Sequence, residues 1–307
     1  MSPDKKITSR SRLGFIGLGL LGSRIARRLV DAGFPVVVYD LKFAKAEEFA
    51  TAGVEVARHP GRLASDVDVV LSSLPDDLMV DAVYLGSGNV LSSAKPGTRI
   101  IELSTISPET SRRLHQAARQ SHISALDVAV SGSTPAAEAG ALTLFGGGDR
   151  EAFEAAQPIF AAIAKQWFYM GPSGAGVAMK LVVNALLGVG MQAVAEAIAL
   201  GSRLGLPREL LLDTLAKTAV VAPALTGKLV TAKHQDYAPQ FPVRLMHKDF
   251  GLILKAAAQA GLSMPATEAA ASINDEEAAS GGEEDFSAVI ERMEHEAVTD
   301  KVLPPEA

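Results

Sequence analysis

Up to about residue 173, apolar positions come in short runs separated by amphipathic or polar stretches. Residues 13–16, 36–39, 54–56, 68–74 and 98–103 are such runs. The run at 68–74 is almost continuous, the pattern of a strand buried on both faces. A further strand begins at 124–127, another at 142–145 is closed by Gly146, Gly147 and Gly148, and a last one spans 166–170. Between them, residues 23–32 form an amphipathic helix, 63–64 belong to a short one, and a helix follows from Asp77. Ser107 and Pro108 read as the N-cap and first position of a helix. Asp149 caps another, expected to run unbroken over 151–163. Strands alternating with helices predict a parallel sheet with helices packed on it.

From residue 174 the pattern changes. Residues 174–205 read as one long helix, apolar on every face where it begins. Such a helix is buried all round or spans a membrane. Lys180, Asn184, Gln192, Glu196 and Arg203 argue against a span. A core helix wrapped by a second domain or a partner subunit is therefore expected. After it, residues 207–217, 224–233, 243–260 and 286–296 read as helices, and the acidic stretch 274–285 as a solvated loop. The expected architecture is α/β: a domain of parallel sheet and helices over 12–173, then an all-helical domain over 174–298, joined by the long helix.

Composition narrows the classes. The chain has 307 residues, enough for about two domains. Net charge is −6, so no nucleic-acid or anionic-membrane partner is expected. There is no cysteine, which excludes disulfides, thiolate metal sites and a cysteine nucleophile. The six histidines are scattered and show no ligand spacing with carboxylates, so no metal is expected; His247 stands out only for lying beside Lys248. The polar, basic residues 1–12 are expected to be a disordered leader without an export signal, and the location cytoplasmic.

Three segments carry candidate chemistry. Gly17-Leu18-Gly19-Leu20-Leu21-Gly22 directly follows the first strand and opens a helix. Here Gly17 permits the tight turn, Gly19 lets backbone approach a pyrophosphate, and Gly22 lets helix and strand pack closely. Asp40 ends the second strand, placed to accept from the adenosine ribose hydroxyls. Its charge favours NAD over NADP, although Lys42 and Lys45 could reach a 2′-phosphate. Leu74 and Pro75, with Ser104 and Thr105, end two further strands on the cofactor side. Second, residues 128–140, with Ser131, Gly132 and Ser133, offer hydroxyls and backbone N–H groups to an anion such as a carboxylate. Third, Lys180 and Asn184 stand at i and i+4 on the long helix and point the same way. An unpaired buried ammonium is costly, so Lys180 faces a cleft, has a partner, or snorkels from the first turns of a core helix.

Four segments together resemble the β-hydroxyacid dehydrogenase family. They are residues 14–22, residues 127–142 (DVAVSGSTPAAEAGAL), the G-x-G-x-x-x-K-x-x-x-N of Gly174 to Asn184, and residues 241–249 (FPVRLMHKD). The resemblance implies hydride transfer between NAD, or NADP, and a small 3-hydroxy acid or aldehyde acid, as in 3-hydroxyisobutyrate dehydrogenase. It implies that 12–173 is a Rossmann-type dinucleotide-binding domain and 174–298 an all-helical substrate and oligomerisation domain, like the C-terminal domain of 6-phosphogluconate dehydrogenase. Lys180 would be the general acid/base and Asn184 would hold the substrate beside it. Ser131, Gly132 and Ser133 would bind its carboxylate, Thr105 would contact the nicotinamide end, and Lys248 would close over the cofactor. A homodimer or homotetramer is expected. The chain departs from the family pattern at Ala129, Ser133 and Ala136, beside the expected carboxylate. Two alternatives stand beside this expectation: an NADPH-dependent reductase of glyoxylate or succinic semialdehyde type, and a non-catalytic dinucleotide-binding sensor.

Overall fold

The computed structural model describes residues 6–86, 88–280 and 282–299. The chain divides into two compact units, Met1–Leu181 and Val182–Ala307.

The first unit is built on one eight-stranded sheet. Its strands are β1 (Leu13–Ile16), β2 (Val36–Tyr39), β3 (Glu55–Val56), β4 (Val69–Ser72), β5 (Arg99–Glu102), β6 (Ser124–Ser131), β7 (Leu142–Gly148) and β8 (Ala164–Gly171). The order is β3-β2-β1-β4-β5-β6-β7-β8. All pairs are parallel except β6 with β7. The helices are α1 (Leu20–Asp31), α2 (Phe43–Ala50), α3 (Pro60–Ala64), α4 (Asp77–Tyr84), α5 (Val90–Ser93), α6 (Pro108–Gln120), α7 (Thr134–Glu138), α8 (Arg150–Ala155) and α9 (Gln157–Ile163).

Alternation explains why the central strands β1, β4 and β5 are buried throughout. Phe15, Val38, Leu71, Ile101 and Leu126 face one core; Ile16, Val37, Val70, Ile100 and Ala125 face another. Helices cover both faces of β1, β4 and β5, so neither side of these strands meets water, whereas the edge strand β8 is largely exposed. Register then aligns one row across five strands: Tyr39, Ile16, Ser72, Glu102 and Asp127. In β1, β2, β4 and β5 this row is the last residue before the loop. The candidate residues Gly17, Asp40, Leu74 and Thr105 follow within three positions, all at the carboxyl edge where doubly wound sheets bind ligands.

The second unit is helical. It holds the remainder of α10 (Ala175–Arg203), then α11 (Arg208–Leu215), α12 (Pro223–Lys233), α13 (Val243–Gln259), α14 (Pro265–Ala279), a 3-10 turn at Phe286–Ala288, and α15 (Val289–Thr299). Close helix contact is set by small residues: a Cβ on Gly188 would meet the Phe250 ring at 2.4 Å. Asp285, 2% exposed, anchors the approach to α13 by accepting from Lys228 Nζ at 2.7 Å and from the N–H groups of Gln240 and Phe241, each at 3.0 Å. A buried carboxylate is tolerable only with such partners.

Several local expectations change. The helix expected over 151–163 is two helices, α8 and α9, because Pro158 brings no N–H to an unbroken ladder. Gly146 to Gly148 lie inside β7, held by its pairing with β6. The strand expected to begin at 124–127 runs on as β6 to Ser131, and α7 follows within the segment expected to bind an anion. The acidic stretch begins as helix: α14 runs to Ala279, with Ala270, Ala271 and Asn274 on its buried side. Within the basic leader, Ile7 is 4% exposed and belongs to the core, so burial of one apolar side chain orders a segment whose polarity suggested none. Residues 1–5 of that leader lie outside the described residues. Finally, α10 is not covered all round. Its length and composition would let it cross a bilayer. Yet Lys180, Asn184 and Gln192 are buried, while Val182, Leu186, Leu200 and Leu204 are exposed.

Candidate active site

The glycine loop has the geometry of a phosphate cradle. Gly17 has φ +92°, and a Cβ there would meet the Ser73 carbonyl oxygen at 2.3 Å. A Cβ on Gly22 would meet the Gly17 oxygen at 2.1 Å. Around Gly19 no atom lies within 4 Å of a built Cβ, and the N-terminus of α1 has no side-chain cap. Tight backbone at Gly17 and Gly22 with open space at Gly19 and uncapped helix amides is what a pyrophosphate requires. Leu18 is buried beneath the loop, whereas Leu20 is 41% exposed and Leu21 is half-buried. Asp40 holds the loop from the next strand. Its Oδ2 accepts from the N–H of Leu18 at 2.7 Å and its Oδ1 from the N–H of Lys42 at 2.8 Å. Each carboxylate oxygen keeps further lone-pair capacity for a ribose hydroxyl. The residues present therefore fit a dinucleotide.

Two further loops at this edge are tied to each other. The Leu74 N–H donates to Ser104 Oγ at 2.7 Å, and the Ser107 N–H donates to Asp77 Oδ1 at 2.8 Å. Thr105, half-buried, lies between these ties; Pro75 is exposed. Beneath them Glu102 is buried, and desolvation pushes its carboxyl pKa up to about 7. Ser131, at the end of β6, and Ser133 are half-buried, and Gly132 between them is exposed. Ser133 is the N-cap of α7 but makes no side-chain capping bond. The segment thus presents polar groups from a strand end and a short helix start.

The start of α10 is pinned from below. Asp127, 1% exposed in β6, accepts from the N–H of Gly174 (Oδ1, 2.9 Å) and of Val177 (Oδ2, 3.0 Å). Two amides that helix geometry leaves without intrahelical partners are satisfied, and a negative charge sits at the positive helix end. The glycines of the G-x-G are what permit this approach. Gly174 has φ +88°. A Cβ on Gly176 would lie 2.4 Å from the Phe145 oxygen and 2.5 Å from that of Asp127. One turn further on, Lys180 is 9% exposed.

In the second unit, Asn184 is fully buried and donates Nδ2 to Asp249 Oδ2 at 2.5 Å. Among the described residues no hydrogen bond reaches Asn184 Oδ1, which leaves a buried acceptor for a hydroxyl donor. Lys248, half-buried, places Nζ 2.9 Å from Asp249 Oδ1. Asp249 was not among the residues singled out from sequence, nor were Asp127 and Glu102. Asp127 heads the 127–142 segment and Asp249 adjoins Lys248, so both were in view, but burial of a carboxylate is not written in a sequence. Among the described residues no group of three or more His, Asp or Glu could hold a metal.

A doubly wound sheet with a glycine-loop cradle, followed by a helical unit, defines an NAD(P)-dependent oxidoreductase. Residues 12–171 match the family described as the NAD binding domain of 6-phosphogluconate dehydrogenase. Residues 174–293 match that described as NAD-binding of NADP-dependent 3-hydroxyisobutyrate dehydrogenase. The chain is 36% identical over 285 residues to 2-(hydroxymethyl)glutarate dehydrogenase of Eubacterium barkeri, spanning 92% of this chain and 95% of that protein. It is 38% identical over 261 residues to NAD-dependent L-serine dehydrogenase of Pseudomonas aeruginosa, spanning 83% and 88%. Among solved structures, 3-hydroxyisobutyrate dehydrogenase of Mycobacterium tuberculosis with L-serine superposes with TM-score 0.82 at 33% identity, over 92% of this chain and 99% of that one. The chain belongs to the β-hydroxyacid dehydrogenase family.

Proposed function

We propose that this enzyme interconverts a 2-substituted 3-hydroxypropanoate and the corresponding 3-oxo acid, with NAD as preferred coenzyme. The observation that carries the reading is Lys180, buried on α10 just after a helix start held by Asp127, with buried Asn184 one turn on. The names of the relatives support the substrate class. 3-Hydroxyisobutyrate, L-serine and 2-(hydroxymethyl)glutarate each carry a primary hydroxyl two carbons from a carboxylate, and differ only in the substituent at C2.

A dinucleotide held by the Gly17–Gly22 loop and Asp40 would accept or supply the hydride. Lys180 takes the hydroxyl proton in oxidation and returns one to the carbonyl oxygen in reduction, as general base and acid. Asn184 orients that oxygen. Ser131, Gly132 and Ser133 bind the carboxylate, and Ser133 narrows the space for the C2 substituent. Asp40 selects NAD, Leu74, Pro75 and Thr105 flank the dinucleotide, and Lys248 covers it. The exposed apolar stripe of α10, with Val182, Leu186 and Leu200, and Leu204 just past its end, at spacings of four, fourteen and four residues that keep one helix face, is assigned to a second copy of the chain. The proposed compartment is the cytoplasm.

The test is a coenzyme-paired turnover screen. NAD or NADP is offered with 2-substituted 3-hydroxypropanoates, and NADH or NADPH with glyoxylate and succinic semialdehyde. Turnover with the first panel, lost in Lys180→Ala, supports the reading. Faster turnover of glyoxylate or succinic semialdehyde with NADPH replaces it with the reductase alternative. NADH binding without turnover on any substrate favours a sensor. Sedimentation as a monomer removes the interface assigned to α10.

A further inference from the structure

Beneath the cofactor edge of the first unit lies a buried polar chain that the reaction does not use directly. Glu102, 1% exposed at the end of β5, accepts from the Ser104 N–H at Oε1, 2.8 Å away. Ser72 Oγ, at the end of β4, donates to Glu102 Oε2. Tyr84 OH, from α4, lies 2.5 Å from Ser72 Oγ, also bonds to the Glu102 carboxyl, and is fully buried. The Ser104 hydroxyl also bonds to Glu102 and at the same time accepts the Leu74 N–H at 2.7 Å. One carboxyl group therefore joins the loop after β4 to the loop after β5.

The direction of these bonds depends on one proton. With Glu102 ionised, every oxygen on it accepts. Tyr84 donates to Ser72, Ser72 to Glu102, and Ser104 to Glu102, which leaves the Ser104 lone pairs for the Leu74 N–H. Every hydrogen has an acceptor. With Glu102 protonated on Oε2, the carboxyl donates to Ser72, Ser72 must donate to Tyr84, and the Tyr84 hydrogen is left only a neutral carboxyl oxygen, a weaker acceptor. The Ser104 hydroxyl then faces a weaker acceptor, and its hold on the loop at Leu74 loosens.

We propose that Glu102 is the positioning residue that holds the loops 73–76 and 104–107 in one arrangement for the dinucleotide, and that it does so as the carboxylate. The proposal rests on the reading above that Leu74 and Thr105 flank the dinucleotide. Burial raises the Glu102 pKa to about 7, so the two forms exchange near neutral pH. The groups facing it are Ser72 on β4, Tyr84 on α4, Ser104 after β5, and Asp127 on β6, its register partner. His115, from α6, lies beyond Asp127, with Nε2 3.6 Å from its Oδ1.

The experiment is NADH titration of the full chain by fluorescence from pH 6 to 8.5, on wild type, Glu102→Gln, Tyr84→Phe and Thr105→Ala. Wild type should bind about fivefold more weakly below pH 7 than above it, the worth of one ordinary hydrogen bond. Glu102→Gln, which mimics the protonated form, should hold the weaker Kd at every pH. Should that variant not fold, Tyr84→Phe serves: losing a donor to the carboxylate moves the midpoint to higher pH. A flat wild-type profile, a step that persists in Glu102→Gln, or an unmoved midpoint in Tyr84→Phe overturns the proposal. An unchanged Kd in Thr105→Ala overturns the loop reading beneath it. A loss in Thr105→Ala with the step persisting in Glu102→Gln removes Glu102 alone.

Discussion

Asp127 accepts the backbone N–H of Gly174 at 2.9 Å, so a sheet residue sets where the helix bearing Lys180 begins. Its second oxygen takes the Val177 N–H at 3.0 Å, which fixes the helix in rotation as well as position. Asp127→Asn replaces one acceptor by a donor facing helix amides. It should cost about 2 kcal/mol in urea unfolding. It should also lower kcat about 100-fold, the scale for a misplaced catalytic group, with a smaller change in NADH affinity. Unchanged kcat in a folded variant would show that the clamp does not position Lys180.

Lys180→Ala should lower kcat by about 1,000-fold while NADH binding is retained, because the general acid/base is lost and the glycine cradle is untouched. Asn184→Ala should act chiefly on the KM for the hydroxy acid. Steady-state kinetics beside NADH titration separates the two effects. A Lys180 variant that turns over normally would end the catalytic assignment.

The glycines give a paired test with opposite readouts. Gly19→Ala adds a Cβ to open space, so folding should be unaffected while dinucleotide affinity falls at least tenfold as the methyl occupies the approach of the pyrophosphate. Gly22→Ala puts a Cβ 2.1 Å from the Gly17 oxygen, so the thermal midpoint itself should drop. Equal behaviour of the two in melting and binding assays would contradict the assignment of the cradle.

Stability should fall as pH rises toward neutrality through Glu102. Desolvation lifts its pKa from 4.5 to about 7. The folded protein therefore holds this proton over a range in which the unfolded chain has lost it. The contribution to stability is complete below about pH 4.5 and lost as pH rises through 7. Glu102→Gln should remove this decline, and its thermal midpoint should gain on wild type between pH 5 and 8. A parallel pH course for both proteins would show that Glu102 does not titrate in this window. The ionised form that costs stability is the one that orders the cofactor loops.

Much of the candidate site was visible in one dimension because its parts are local. The turn at Gly17, the helix opening at Leu20 and the strand ending before Asp40 follow from neighbouring residues. So does the face shared by Lys180 and Asn184, which needs only the helical period. Boundaries that depend on partners were not visible. Gly146 to Gly148 read as a terminator until β6 pairs with them, and the acidic stretch reads as loop until α14 buries Ala270 and Ala271.

Sequence alone determined the order of the eight strands, the α/β class of the first half, the dinucleotide loop and the spacing of Lys180 and Asn184 in the candidate motif. These rest on backbone propensity and periodicity over a few residues. Tertiary structure decided the roles of Asp127, Glu102 and Asp249. Asp127 reaches Gly174 across 47 positions, Ser72 reaches Glu102 across 30, and Asn184 reaches Asp249 across 65. A carboxylate reads as solvated surface until the fold buries it. Only then does the cost of leaving it unpaired dictate which distant donors it must hold.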